Sequence, residues 1–188
     1  MPIVLASASP RRQELLTNAG VEFVVKPANI PEVRRPAEAP QIFAERMARE
    51  KARAVFAGTN DEYVLGADTI VVANDFVLGK PEDEHDATIM LRLLSGRKHH
   101  VITGVCLLGT DFEDVRSETT AVDFSALSDA DIRGYIATGE PMDKAGAYAI
   151  QGAASCWISK IEGDYSNVVG LPVALVLQML REHQVGGS

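Results

Sequence analysis

Cysteine, tryptophan and positive charge are scarce in this chain of 188 residues. Its two cysteines, Cys106 and Cys156, stand far apart inside apolar runs. Neither a disulfide framework nor a zinc spacing follows, and both are expected to be buried, reduced thiols. No stretch approaches the roughly 18 consecutive apolar residues of a membrane-spanning helix. The opening residues, Met1 to Ala6, have no basic segment and too short an apolar run for a signal peptide, so a cytoplasmic protein is expected. With 18 Lys and Arg against 26 Asp and Glu, the net charge of −8 disfavours DNA, RNA or an anionic membrane as partner. Gly-x-Ser-x-Gly, Gly-x-Gly-x-x-Gly and a complete P-loop are all missing, which sets aside the α/β-hydrolases and the two standard nucleotide folds.

What is present is an ordinary globular composition, 46% hydrophobic and 23% charged, at a length suited to one domain or two lobes sharing a core. The charge is unevenly spread. Residues 1–53 hold 9 basic and 6 acidic side chains, whereas residues 54–188 hold 9 basic and 20 acidic. Half of the positive charge therefore sits in the first quarter of an acidic protein.

Local signals outline the elements. Ile3–Ala6 reads as a strand, and Ser9-Pro10 as N-cap and first residue of a helix closed by Gly20. Val21–Lys26 is a second strand, residues 27–40 with four prolines a loop, and Gln41–Ala57 a long helix. Tyr63–Ala73 is apolar enough for burial on both faces, and Asn74-Asp75 makes a tight turn into Phe76–Leu78. A helix over Glu82–Leu94, an antiparallel pair over Val101–Leu108 and Val115–Ala126, and a helix capped by Ser128 and Asp131 and ending at Gly139 follow. Ser155–Ile161 is a strand, Gly163–Asn167 a turn, and Pro172–His183 a last helix with Pro at its first position. Helices alternate with strands but hairpins interrupt them, so the class is α/β with a mixed sheet flanked by helices.

Four placements conflict with local preference, which is where function tends to sit. Arg11 and Arg12 occupy a helix first turn, where the macrodipole disfavours cations; with the free amides they would suit a phosphate, or Arg11 could pair with Glu14 or Glu45. Lys51 falls on the apolar stripe of its helix, and must either snorkel or enter a cleft. Asp68 interrupts an otherwise apolar strand and needs a cation, a metal or donors. Lys80, between Gly79 and Pro81 on the returning hairpin, is a candidate for that cation. A glycine-containing segment, Asp143–Gly152, presents Gln151, whose amide suits base-edge recognition, though a packed bend explains the glycines equally. His99-His100 should place one ring inward and one outward, and the acidic run at Glu82–Asp86 satisfies a helix dipole. The cations thus suit a polyphosphate, and Asp68 with Glu32 a divalent metal, Mg²⁺ or Mn²⁺, or a water.

The ordered set Ser7-Ala8-Ser9-Pro10-Arg11-Arg12, Gly66-Ala67-Asp68-Thr69, Gly79-Lys80-Pro81, Leu94-Ser95-Gly96, Asp143–Tyr148 and Val168–Pro172 resembles the Maf family of nucleoside triphosphate pyrophosphatases over nearly the whole chain. The resemblance implies a single domain over 1–188, an elongated mixed sheet in two lobes with a central cleft as in inosine triphosphate pyrophosphatases, and commonly a homodimer. It also implies metal-dependent hydrolysis of a nucleoside triphosphate to monophosphate and pyrophosphate. On that basis Asp68 is the proton acceptor, Lys51, Lys80 and Glu32 are cleft positions, and Ser9 and Arg11 bind substrate. Arg12, Thr69 and Gln151 match the base-selective positions of the dTTP and UTP branch. The 7-methyl-GTP branch typically carries Ser-Asp-Gln in place of Ala67-Asp68-Thr69. A non-catalytic role in septum formation through protein partners is the alternative from another class.

Overall fold

The computed structural model describes residues 2–57 and 63–185. Among these, seven strands form one mixed sheet in the order β2-β1-β3-β5-β6-β7, with β4 paired to β3. The strands are β1 (Ile3–Leu5), β2 (Phe23–Val25), β3 (Val64–Ala73), β4 (Phe76–Leu78), β5 (Lys98–Leu108), β6 (Glu113–Phe124) and β7 (Ile158–Glu162). Strand β1 lies parallel to β2 and β3, whereas β4 runs antiparallel to β3 and β7 antiparallel to β6. The turn from β5 to β6 is too short for a parallel crossover. This is the mixed α/β class expected from the alternation of elements.

The helices are α1 (Pro10–Asn18), α2 (Pro40–Phe56), α3 (Glu84–Leu94), α4 (Asp129–Ala137), α5 (Tyr165–Val169) and α6 (Val173–Glu182). Their ends follow local chemistry. The Ser9 hydroxyl accepts from the Arg12 amide at 3.5 Å, and Gly20 lies beyond α1 at φ +71°. Ser128 and Asp131 close a capping box on α4. Asn74 and Asp75, at φ +47° and +68°, supply the positive φ of a two-residue hairpin.

Other boundaries differ from the sequence reading. Helix α3 starts at Glu84, because the Asp83 side chain caps it by accepting from the Asp86 amide. Residues 153–157 form a 3-10 turn, so β7 begins only at Ile158. The expected turn at 163–167 is helix α5, nucleated by Asp164, whose carboxylate accepts from the Ser166 and Asn167 amides. Pro172 precedes α6 as its cap rather than its first residue. Cys106 is buried as expected, its thiol pushed up to about 12 by burial. Cys156, by contrast, is exposed, because the 3-10 turn rotates it out of the strand pattern that implied burial. No helix among the described residues is long and apolar enough to cross a membrane.

The chain divides into two compact units. The first comprises residues 1–69, 103–118 and 170–188. Its sheet has one face against α2, through Val4, Val64, Cys106, Ala48 and Ala52. The other face packs on α1 and α6 through Ile3, Leu5, Leu65, Leu107, Leu16, Val176 and Met179. The second unit, residues 70–102 and 119–169, has its own core of Val71, Leu91, Leu94, Val122, Ile132 and Tyr148.

Candidate active site

Helix α2 lies on the first unit's sheet with no side chains between them at two points. A Cβ on Gly66 of β3 would come within 2.2 Å of the Ala48 carbonyl oxygen and 2.8 Å of the Ala52 amide, and one on Gly104 of β5 within 2.3 Å of the Ala44 carbonyl oxygen. Glycine in a strand interior is unfavourable by itself, so its use here marks close backbone approach. No local signal in the sequence marks this role of Gly66, because the atoms it admits belong to another element. Because side chains alternate along a strand, Asp68 shares the face of Gly66, and Lys51 arrives from α2 between Ala48 and Ala52.

The Lys51 ammonium donates to Asp68 Oδ1 at 2.6 Å and stands 2.6 Å from Glu32 Oε1. Lys51 is 8% exposed and Asp68 4%, so the lysine on the apolar stripe enters the interior instead of snorkelling. The partner of Asp68 is thus Lys51 rather than the candidate Lys80. Burial pushes the Asp68 carboxyl above the usual carboxylate range, against the pull of Lys51. Glu32 comes from the proline-containing loop, which Arg46 of α2 pins. The Arg46 guanidinium donates to Glu38 Oε1 at 2.6 Å, to Glu38 Oε2 at 2.8 Å and to the Val33 carbonyl at 2.9 Å. That bidentate contact holds the Glu38 carboxyl down at about 2. Arg34 and Arg35 of the same loop are exposed.

Arg12 belongs to the opposite face of β3. Its Nε donates to the Gly170 carbonyl at 2.8 Å, Nη1 to Ser7 Oγ and to the Ala67 carbonyl at 3.0 Å each, and Nη2 to Thr69 Oγ1 at 3.0 Å. Four of the five guanidinium N–H groups are therefore spent on the protein. The Thr69 hydroxyl donates to the Gly170 carbonyl at 3.2 Å, which leaves Thr103 to donate to Thr69 at 3.0 Å. Arg12 and Thr69 are one network tying α1, β3, β5 and the segment before α6. Ser7, Thr103 and the Gly170 carbonyl belong to it too; no periodic or capping signal in the sequence marks them. Burial lowers the Arg12 pKa, with Asp68 acting against that shift. Ser9 caps α1 beside it, whereas Arg11 is half-buried and makes no side-chain hydrogen bond or ion pair among the described residues.

Lys80 and Gln151 lie in the second unit, and both side chains are exposed. Their two segments meet where the Gly146 amide donates to the Gly79 carbonyl at 3.0 Å, with Gly146 at φ +70° against the Val71 side chain. His99 is fully buried and His100 exposed, the alternation expected of a strand.

The model of the Maf-like protein family matches residues 2–183. The chain belongs to the Maf family. It is 58% identical over 181 residues to the dTTP/UTP pyrophosphatase of Koribacter versatilis, covering 96% of this chain and 94% of that protein. The dTTP/UTP pyrophosphatase of Geobacter sulfurreducens is 53% identical, covering 95% of each, and that of Symbiobacterium thermophilum 52%, covering 96% and 93%. As a Maf protein the chain carries Asp68 and Lys51 in direct contact, with Glu32 on the same ammonium.

The donor set also fits a hard divalent ion. Two carboxylates that both reach one Nζ atom are close enough to share one cation. No group of three or more His, Cys, Asp or Glu suited to a metal occurs among the described residues. One or two carboxylates completed by substrate phosphates and water is the coordination Mg²⁺ favours.

Proposed function

We propose that this chain hydrolyses nucleoside triphosphates, dTTP and UTP foremost, to the monophosphate and pyrophosphate. The observation that carries the reading is the buried Lys51 ammonium held between Asp68 and Glu32, in a chain more than half identical to dTTP/UTP pyrophosphatases. Water attacks the α-phosphorus, the bond to the bridging oxygen breaks, pyrophosphate leaves, and the water's proton passes to Asp68. A carboxyl raised by burial is a better acceptor at neutral pH than an exposed one. Lys51 and Arg11 supply positive charge for the phosphate oxygens.

The proposal includes a divalent cation, Mg²⁺ or Mn²⁺, held by Asp68 and Glu32, which when bound neutralises phosphate charge. Lys80 as a further catalytic cation and Gln151 as a reader of the base enter on the family resemblance. Arg12 and Thr69 act on selectivity through the fixed network they form. A cytoplasmic homodimer without nucleic-acid or membrane partners completes the reading.

The test is a panel of dTTP, UTP, CTP and 7-methyl-GTP with Mg²⁺ or Mn²⁺, read as phosphate with and without added inorganic pyrophosphatase. Phosphate appearing only with the coupling enzyme, fastest from dTTP and UTP and abolished by EDTA, is the expected result. Phosphate released without the coupling enzyme would mean stepwise removal from the γ end and would overturn the assignment.

A further inference from the structure

Gln151 projects from a stretch with little regular structure, bounded by 3-10 turns at 145–147 and 153–157. An exposed side chain on such a stretch keeps a fixed direction only if its backbone is held from outside. Tyr135, in the last turn of α4, and Glu140, which opens the 3-10 turn at 140–143 after it, hold it. The Tyr135 hydroxyl accepts from the Ala149 amide at 3.2 Å and donates to Glu140 Oε1 at 2.9 Å. Glu140 Oε2 in turn accepts from the Ala153 amide at 3.4 Å. Gly152 sits directly on the same carboxylate, since a Cβ there would lie 1.7 Å from Glu140 Oε1. The amides two residues before and two residues after Gln151 are thus tied to a single Tyr–Glu pair. Tyr135 is itself fixed, 3% exposed and edge-on to Trp157 with ring centroids 5.1 Å apart.

We propose that Tyr135 and Glu140 are positioning residues that set base selectivity by holding Gln151, an inference that rests on reading Gln151 as the residue that recognises the base. Neither touches substrate. The pair fixes where the Gln151 amide points, so its loss blurs discrimination between bases while the hydrolytic groups on the first unit stay as they are.

The experiment compares kcat and KM for dTTP, UTP and CTP across Gln151→Ala, Tyr135→Phe, Glu140→Ala, Glu140→Gln and the double variant Tyr135→Phe with Gln151→Ala. Tyr135→Phe and Glu140→Ala should each lower the dTTP-to-CTP ratio of kcat/KM by about threefold to tenfold, the scale of one net hydrogen bond. The change should lie mainly in KM. Glu140→Gln should keep more of the ratio than Glu140→Ala but less than wild type, because its one carbonyl can still accept from either Tyr135 or the Ala153 amide, while its amide nitrogen can accept from neither. In the Gln151→Ala background, Tyr135→Phe should add nothing further. Equal losses on all three nucleotides, or additive effects in the double variant, would overturn the proposal even with Gln151→Ala altering selectivity. A Gln151→Ala protein with unchanged selectivity refutes the base-reading role itself, and the positioning role with it.

Discussion

Substituting Gly66 by alanine tests the close approach of α2 to β3 in the first unit. The added Cβ would stand 2.2 Å from the Ala48 carbonyl oxygen, where ordinary contact begins near 3.4 Å, a shortfall of 1.2 Å. The opposing atoms are backbone, with no flexible side-chain end to swing away. Helix α2 must therefore lift from β3 by about 1 Å, at the upper end of the ~1–3 kcal/mol typical of overpacking. For a chain of this size each kcal/mol lowers Tm by about 2–4 °C, so a drop of about 6–12 °C is expected. The same lift lengthens the 2.6 Å contact between Lys51 and Asp68. A misplacement of ~1 Å in an active site can cost about a hundredfold in rate. Thermal melts followed by scanning calorimetry, with pyrophosphate release measured well below the melt, read both effects. A Gly66→Ala protein with wild-type Tm and wild-type turnover would refute the argument that glycine is there to admit α2.

Asp68→Asn should keep the fold, since an amide relieves the cost of a buried charge and Lys51 retains Glu32, yet lose nearly all turnover on dTTP; undiminished pyrophosphate release would sink the role of Asp68 as proton acceptor. Glu38 is depressed to about 2 in the folded protein from an ordinary value of 4.5, so its contribution is present above that ordinary value and is lost as pH falls through the range toward the folded one. Glu38→Gln should accordingly lower Tm at neutral pH and shift it little once the pH nears the folded value, and a pH-independent difference would contradict the Arg46 ion pair as its cause. Gly134, within α4, has no atom within 4 Å of the point where a Cβ would stand. Gly134→Ala should thus stabilise by about 0.5–1 kcal/mol through helix propensity alone, measured by urea denaturation; a loss of stability would contradict the open surroundings of that position.

Much of the scaffold is determined locally and could be read from the residues themselves. Ser9-Pro10, the Asn74-Asp75 turn and the Ser128–Asp131 capping box each act over a few positions, and each is found where its chemistry requires. Periodicity placed Lys51 on the inward face of α2, and the cost of burying a charge singled out Asp68. Where a short-range rule meets a competing one, boundaries move: Asp83 captured the start of α3, and a 3-10 turn carried Cys156 to the surface. Partner choice was beyond the sequence because it depends on strand order and on how closely backbones approach. Asp68 bonds Lys51, 17 positions away, because Gly66 lets α2 touch β3. Arg12 spends one donor on Gly170, 158 positions away, and three on Ser7, Ala67 and Thr69, so it braces the fold instead of offering its whole fork to a phosphate. The sequence by itself determined the positive charge concentrated in residues 1–53 and which residues are out of place in their elements. Only the tertiary structure decided that Lys51 faces two carboxylates while Arg12 serves the other side of the same strand, because successive residues of a strand point to opposite faces.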